Sequence, residues 1–138
     1  MRIYAATLNP ALDLSGHVPR LLPNEKNYVL RQRLDPGGNG INAARMAARL
    51  GTQVTLLGFL GGSAGDQIEG LLKREKSAHT MRLAFTPIQN STRTNVTVTN
   101  DSDHSQTRLT FPGPGISGAE LKSLVHKVAA IREKGASK

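Results

Sequence analysis

Two stretches of this chain carry residue types suited to a phosphorylated, hydroxyl-rich small molecule. The first is Asp35-Pro36-Gly37-Gly38-Asn39-Gly40, which leads into an alanine-rich segment, residues 41–50. Glycines let the main chain approach a ligand closely, and a helix N-terminus presents unpaired N–H groups with a partial positive charge. The same glycines also suit a plain strand-to-helix turn, and the residues alone leave both readings open. No Gly-Lys-Ser/Thr follows, so this is not a P-loop, nor is it a full Gly-x-Gly-x-x-Gly fingerprint with an acid after the next strand. The second stretch holds Arg93 between Thr92 and Thr94. Arginine is the side chain best shaped for bidentate phosphate recognition, although on an exposed strand it is commonly a surface charge. Arg108 and Lys26 carry the same ambiguity. Asp13 follows the turn Asn9-Pro10, where a carboxylate either accepts hydrogen bonds from sugar hydroxyls or simply faces solvent. The histidines, His17, His79, His104 and His126, are isolated from one another, and no pair has metal-ligand spacing.

Alternating elements must position these residues. Residues 3–7, 54–59 and 81–85 are short apolar runs that predict buried strands. Helices are predicted from 41 to about 50, ended by Gly51, and from 66 to about 75, where Ile68, Leu71 and Leu72 share a face. Residues 12–18, 28–34 and 92–111 instead alternate loosely between apolar and polar, as strands with one wet face do. The last of these reads as a hairpin around the polar turn 100–105. Ser117 and Glu120 are spaced as a capping box. The helix they open shows Leu121, Leu124, Val125, Val128 and Ala129 at the spacing of one face and gives way to a basic tail, 132–138. Strands alternating with helices predict an α/β fold with a parallel sheet, and the wetter strands predict a second, small sheet inserted into it.

The composition narrows the classes of function. Of 138 residues, 38% are hydrophobic and none is cysteine, so disulfides and cysteine-ligated zinc are excluded and an intracellular, cytoplasmic setting is expected. No segment predicts a secretory signal or a membrane span. The net charge of +8 raises nucleic-acid binding. The basic residues are scattered without interleaved aromatics, so an anionic small substrate is the expectation instead, with no nucleic acid and no membrane as partners.

Taken in order, Thr7-Leu8-Asn9-Pro10-Ala11-Leu12-Asp13, Pro36-Gly37-Gly38-Asn39-Gly40-Ile41-Asn42-Ala43-Ala44-Arg45, Gly58-Phe59-Leu60-Gly61-Gly62, Thr92-Arg93-Thr94-Asn95 and Pro112-Gly113-Pro114 resemble the landmarks of the ribokinase-like (PfkB-type) carbohydrate kinases, in the phosphofructokinase and tagatose-6-phosphate kinase branch. The resemblance implies a partial ribokinase-like three-layer core with a parallel sheet, plus a small β-sheet lid from about 12–34 and 92–111. It makes residues 1–138 the N-terminal half of one sugar-kinase domain. It also implies that Asp13 holds sugar hydroxyls, that Gly38 and Asn42 line the same pocket, and that Arg93 and Arg108, with Lys26, meet the substrate phosphate. Asn39 stands where fructose-1-phosphate and tagatose-6-phosphate kinases have lysine, which tilts the implied substrate toward fructose 6-phosphate. Members of the family use ATP and Mg2+ and often dimerise through the lid.

Against that resemblance, the late Gly-x-Gly-Asp carrying the family's catalytic base has no counterpart here. Gly62-Ser63-Ala64-Gly65-Asp66 has the wrong spacing and lies in the early glycine loop, and there is no Asn-x-x-Glu. The expectation is a truncated kinase half that retains sugar-phosphate-binding residues, is inactive alone, and does not bind ATP and Mg2+ by itself. The alternative is a non-catalytic module that binds sugar phosphate, dimerises through its lid, or pairs with a longer kinase chain.

Overall fold

A computed structural model describes residues 2–136. In chain order its elements are β1 (Arg2–Thr7), β2 (Ala11–Val18), β3 (Arg31–Gly37), α1 (Asn39–Arg49), β4 (Gln53–Leu60), α2 (Gly62–Lys73), a 3-10 turn (Ala78–Thr80), β5 (Met81–Pro87), β6 (Arg93–Asn100), β7 (Gln106–Leu109) and α3 (Gly118–Ala136). The three apolar runs pair in parallel as a sheet ordered β1-β4-β5. The alternating runs form a separate sheet ordered β3-β2-β6-β7, in which β2 is antiparallel to β3 and parallel to β6.

Central strand β4 is buried from Val54 to Leu60, and its alternate residues feed two cores. Val54, Leu56 and Leu60 meet Ile41, Ala44 and Ala48 of α1 and Ala64, Ile68 and Leu72 of α2. On the opposite face, Leu57 and Phe59 meet Ile88 and Leu124 of α3. The result is three layers, helices, parallel sheet and helix, with the second sheet joined to the first core through Leu12. Ile41, Leu56, Ile68 and Leu72 are essentially inaccessible, and each such side chain contributes about 1.5–3 kcal/mol.

In three places the elements depart from the boundaries expected above. The glycine-rich loop is shorter, because Asp35, Pro36 and Gly37 complete β3 opposite Asp13, Leu12 and Ala11. Pro36 is tolerated because β3 is an edge strand, where a missing N–H breaks no interior ladder. For the same reason the strand runs Arg31–Gly37 rather than 28–34, leaving Tyr28 and Leu30 exposed in the preceding connection. Helix α2 begins at Gly62, not near 66, because Gly61 and Gly62 can pack against Asn90 and Ser91 where a Cβ would collide. On α3 only Leu124 of the expected face is buried, while Leu121, Val125 and Val128 remain exposed. That helix continues through Ala136, so part of the expected basic tail is helical.

The capping box is present. Glu120 N–H donates to Ser117 Oγ (3.2 Å), and the Glu120 carboxylate accepts from Ser117 N–H (2.7 Å) and Gln89 N–H (2.8 Å). Those backbone bonds, Ser117 first and then Gln89, hold the Glu120 carboxyl below its ordinary value. A lowered folded-state value adds stability above the unfolded value, about 4.3, and that contribution disappears as pH falls through the folded value. Acidification below about 4 is therefore expected to loosen the start of α3, and Glu120→Gln to flatten this acid limb. Amide exchange at Gln89 and Ser117 followed against pH checks it; protection unchanged down to about pH 2 contradicts it.

Candidate functional site

The pocket lies where β1 ends and α1 begins, at the carboxyl edge of the parallel sheet, the usual ligand position in open α/β folds. It is a cavity of about 330 Å³ lined by Thr7, Leu8, Asn9, Gly38, Asn39, Gly40, Arg93 and Ala6. Gly38 caps α1 with φ +119°, a conformation that favours glycine, and a Cβ there would stand 3.0 Å from Thr7 Oγ1. No side chain caps the helix and no acid lies in its first turn, so its leading N–H groups are free for an anion. Asn42 lies one turn in, exposed, with its N–H on Gly38 O (2.9 Å).

Arg93 is held over this pocket by main-chain carbonyls. Its Nε donates to Pro10 O (3.4 Å), one Nη to Phe111 O (3.1 Å) and the other to Asn9 O (3.2 Å). A guanidinium has five N–H donors, so two remain for a ligand. None of the ion pairs among the described residues involves Arg93. Its positive charge is thus fixed in direction and uncompensated.

Asp13 shares a sheet face with Arg93. In the β2–β6 register Ala11 lies opposite Arg93 and Asp13 opposite Asn95. Asn95 Nδ2 donates to Asp13 Oδ1 (3.1 Å), and Asn95 Oδ1 accepts from Phe111 N–H (3.1 Å). On the other side Asp13 rests on Gly37, where a Cβ would fall 2.0 Å from Asp13 Oδ2. Of the expected residues, Gly38 and Arg93 line the cavity, whereas Asp13, against Gly37 and Asn95, and Asn42, one turn into α1, lie next to lining residues but do not line it. Arg108 lies away from the pocket on outer strand β7, exposed and donating to Gln106 Oε1 (2.7 Å). Lys26 sits in the exposed connection before β3, its Nζ 5.8 Å from the centre of the Tyr28 ring. Asn9 and Asn39 also line the cavity and Asn95 holds Asp13; of the three, the sequence pattern marks only Asn39, as a substrate-selecting position. Asn9 and Asn95 give a weak signal because their place beside Arg93 and Asp13 depends on how β2 pairs with β6, which local sequence does not report.

A second glycine turn abuts the site. Gly61 N–H donates to the buried Thr92 Oγ1 (3.0 Å), and Thr92 N–H to Gly61 O (2.9 Å), which ties the start of α2 to the residue before Arg93. Thr92→Val removes one buried bond and strands a donor, so a loss of about 1–3 kcal/mol is expected in a urea titration.

The sequence pattern of the pfkB family carbohydrate kinases matches residues 5–136. The chain belongs to that family. It is 39% identical over 127 residues to the ATP-dependent 6-phosphofructokinase isozyme 2 of Mycobacterium tuberculosis H37Rv, covering 92% of this chain and 36% of that protein. It is 33% identical to the D-tagatose-1-phosphate kinase of Bacillus licheniformis, covering 94% of this chain and 40% of that one. The crystal structure of Escherichia coli phosphofructokinase-2 with substrates and products superposes with a TM-score of 0.85 at 31% identity, over 94% of this chain and 41% of that one. The three layers and second sheet thus form part of the ribokinase-like fold of these pfkB kinases, and the chain spans about two fifths of their length. No helix of the described residues is long and apolar enough to cross a membrane.

The family's full-length members are ATP-dependent sugar kinases, which implies ATP and Mg2+ for them. Among the described residues no three His, Cys, Asp or Glu side chains gather as a metal site requires.

Proposed function

We propose that residues 1–138 are the sugar-phosphate-binding N-terminal part of one kinase domain of the phosphofructokinase type. The observation that carries this is Arg93, a fixed and uncompensated guanidinium facing the uncapped start of α1 across a pocket of small-metabolite size. In this reading the two free N–H groups of Arg93 and the leading amides of α1 take the phosphate. The Asp13 carboxylate accepts from sugar hydroxyls while Asn95 holds it in place, and Asn42 donates to the same sugar. Gly38 keeps the floor open. Arg108 and Lys26 complete the phosphate contacts only when the second sheet bends over the pocket, or when a second subunit brings them there.

The ligand named first is fructose 6-phosphate. The relatives include kinases acting on ketohexose phosphates, and Asn39 adds no positive charge at the mouth. ATP with Mg2+ would supply the transferable phosphoryl group in a full-length member. The residues here bind and orient the acceptor, and no step of transfer is assigned to them. The chain alone is expected not to turn over ATP, and a role built on ATP and sugar phosphates belongs to the cytoplasm.

The test is an amide NMR titration with fructose 6-phosphate. Saturable shifts at Asp13, Asn42 and Arg93 support the reading; shifts scattered over basic surface residues, or none at millimolar ligand, overturn it. A second reading, a lid-mediated dimer, is favoured by one feature. The face of the second sheet opposite Asp13 exposes Leu34 and Leu109 beside half-buried Leu14, Val96 and Val98. Sedimentation of the wild type against Leu34→Glu decides it, since only a lid dimer is broken by that change.

A further inference from the structure

At the amino end of the parallel sheet, opposite the pocket described above, basic side chains gather around a single acid. Gly51 and Thr52 lead into β4, and the 3-10 turn Ala78–Thr80 leads into β5, so both segments belong to that end. Between them and the last turn of α1 lies a crevice of about 550 Å³, within the size range of small-molecule sites. Arg45, Arg49, Lys76 and His79 line it, and Glu75 is its sole carboxylate among the described residues.

That carboxylate is already matched. Glu75 pairs with Arg45 Nε, and the two side chains are only 14% and 16% exposed. Arg49 comes no nearer than 3.7 Å to the other oxygen of Glu75, at the long end of an ion pair, and its own side chain is 56% exposed. Lys76 is exposed and joins no ion pair of the described residues. One carboxylate thus balances one of three permanent cations, and the charges of Arg49 and Lys76 remain on the walls of one opening.

A helix C-terminus by itself disfavours an anion. Here the last carbonyls of α1 are occupied. Met46 O accepts from Leu50 N–H (3.1 Å), Ala47 O from Thr52 N–H (3.0 Å), and Ala48 O from both Gly51 N–H (3.0 Å) and Thr80 Oγ1 (3.2 Å). Nothing lies within 4 Å of where a Cβ would stand on Gly51, so the crevice is open on that side. Ser77, 8% exposed, adds a hydroxyl to the lining. No aromatic ring lines the crevice, so a nucleobase would find no stacking surface there.

We propose that this crevice binds a compact multivalent phosphate anion, held by the Arg49 guanidinium and the Lys76 ammonium with the Ser77 hydroxyl donating beside them. Arginine supplies paired N–H donors in a fixed fork and lysine a mobile point charge, both suited to phosphate oxygens. Strand β4, eight residues or about 26 Å long, separates the two ends of the sheet. The crevice shares no lining residue with the sugar-phosphate pocket, so it is a second site, and either assignment can fail while the other holds.

The test is an amide NMR titration of the intact chain with pyrophosphate, inorganic phosphate and ADP, each against chloride at equal ionic strength. Pyrophosphate is expected to give saturable shifts at Arg49, Gly51, Lys76 and Ser77, and ADP to bind no more tightly than pyrophosphate. The double variant Arg49→Gln with Lys76→Gln is expected to weaken pyrophosphate binding by at least about tenfold. Both side chains are exposed, and circular dichroism verifies that the variant is folded. Shifts that chloride reproduces, or affinity retained by the double variant, overturn the proposal. Tighter binding of ADP than of pyrophosphate overturns it too, because the nucleoside would then be recognised.

Discussion

Gly58→Ala is expected to lower unfolding free energy by about 3 kcal/mol or more, a large loss for the addition of a single methyl group. Gly58 sits in central strand β4 opposite Thr7 of β1. Its φ is +148°, and a Cβ there would lie 1.9 Å from Thr7 O and 2.9 Å from Thr7 Cγ2. Two costs therefore combine: a backbone conformation that L-residues avoid, and a collision with main-chain atoms that cannot rotate away. Relief requires β1 and β4 to separate at the end that carries the pocket, so Thr7 shifts with them. Gly51→Ala is the control. Its φ of +81° is also positive but lies nearer the left-handed region that other residues can enter, and nothing lies within 4 Å of the added methyl. It should cost only the backbone term, about 1–2 kcal/mol. Urea unfolding of both variants separates strain from collision, and equal losses would refute the claim that β1 and β4 are in steric contact there.

Asp13→Asn is expected to weaken fructose 6-phosphate binding by about 10- to 100-fold while leaving the fold intact, since hydrogen bonds to a charged group contribute about 1.5–3 kcal/mol. The substitution keeps the shape of the side chain but removes the charge that accepts sugar hydroxyls. It also disturbs the bond from Asn95, because two facing amides must choose a single orientation. Gly37→Ala should reach a similar end by another route. The carboxylate is untouched, yet the new methyl would stand 2.0 Å from Asp13 Oδ2 and must displace it. Calorimetric titration of both variants, beside Asn42→Ala, checks the pair. If Asp13→Asn binds as tightly as wild type, Asp13 is a structural partner of Asn95 and not a sugar ligand. If only Gly37→Ala binds weakly, the position of the loop matters and the carboxylate does not.

Much of the fold is legible along the chain because it is local. The period of two in 92–111 and the apolar runs at 54–59 and 81–85 reflect what each side of a strand faces, and the strands form there. The capping box at Ser117 and Glu120 is a contact across three residues, and it forms as spaced. The boundaries that shifted did so where a non-local contact overrode the local signal. Asp35-Pro36-Gly37 has the composition of a turn, yet pairing with β2 holds it extended. Gly61 and Gly62 also read as a loop, yet close packing on residues 88–91 lets α2 start there.

The site divides along the same line. By itself the amino-acid sequence determined the layered α/β class, the presence of a wet second sheet, and a set of polar residues near glycine turns. It left open whether Arg93 was a surface charge and whether Asp13 faced only solvent. Tertiary structure decided that Arg93 is clamped by the carbonyls of Asn9, Pro10 and Phe111 and that Asp13 is wedged between Gly37 and Asn95. It also decided that the apolar stripe of α3 meets the sheet through little more than Leu124. The physical reason is distance along the chain. Asp13 and Asn95 are 82 residues apart, and which of them meet depends on strand register, a property of the pair that neither segment carries alone.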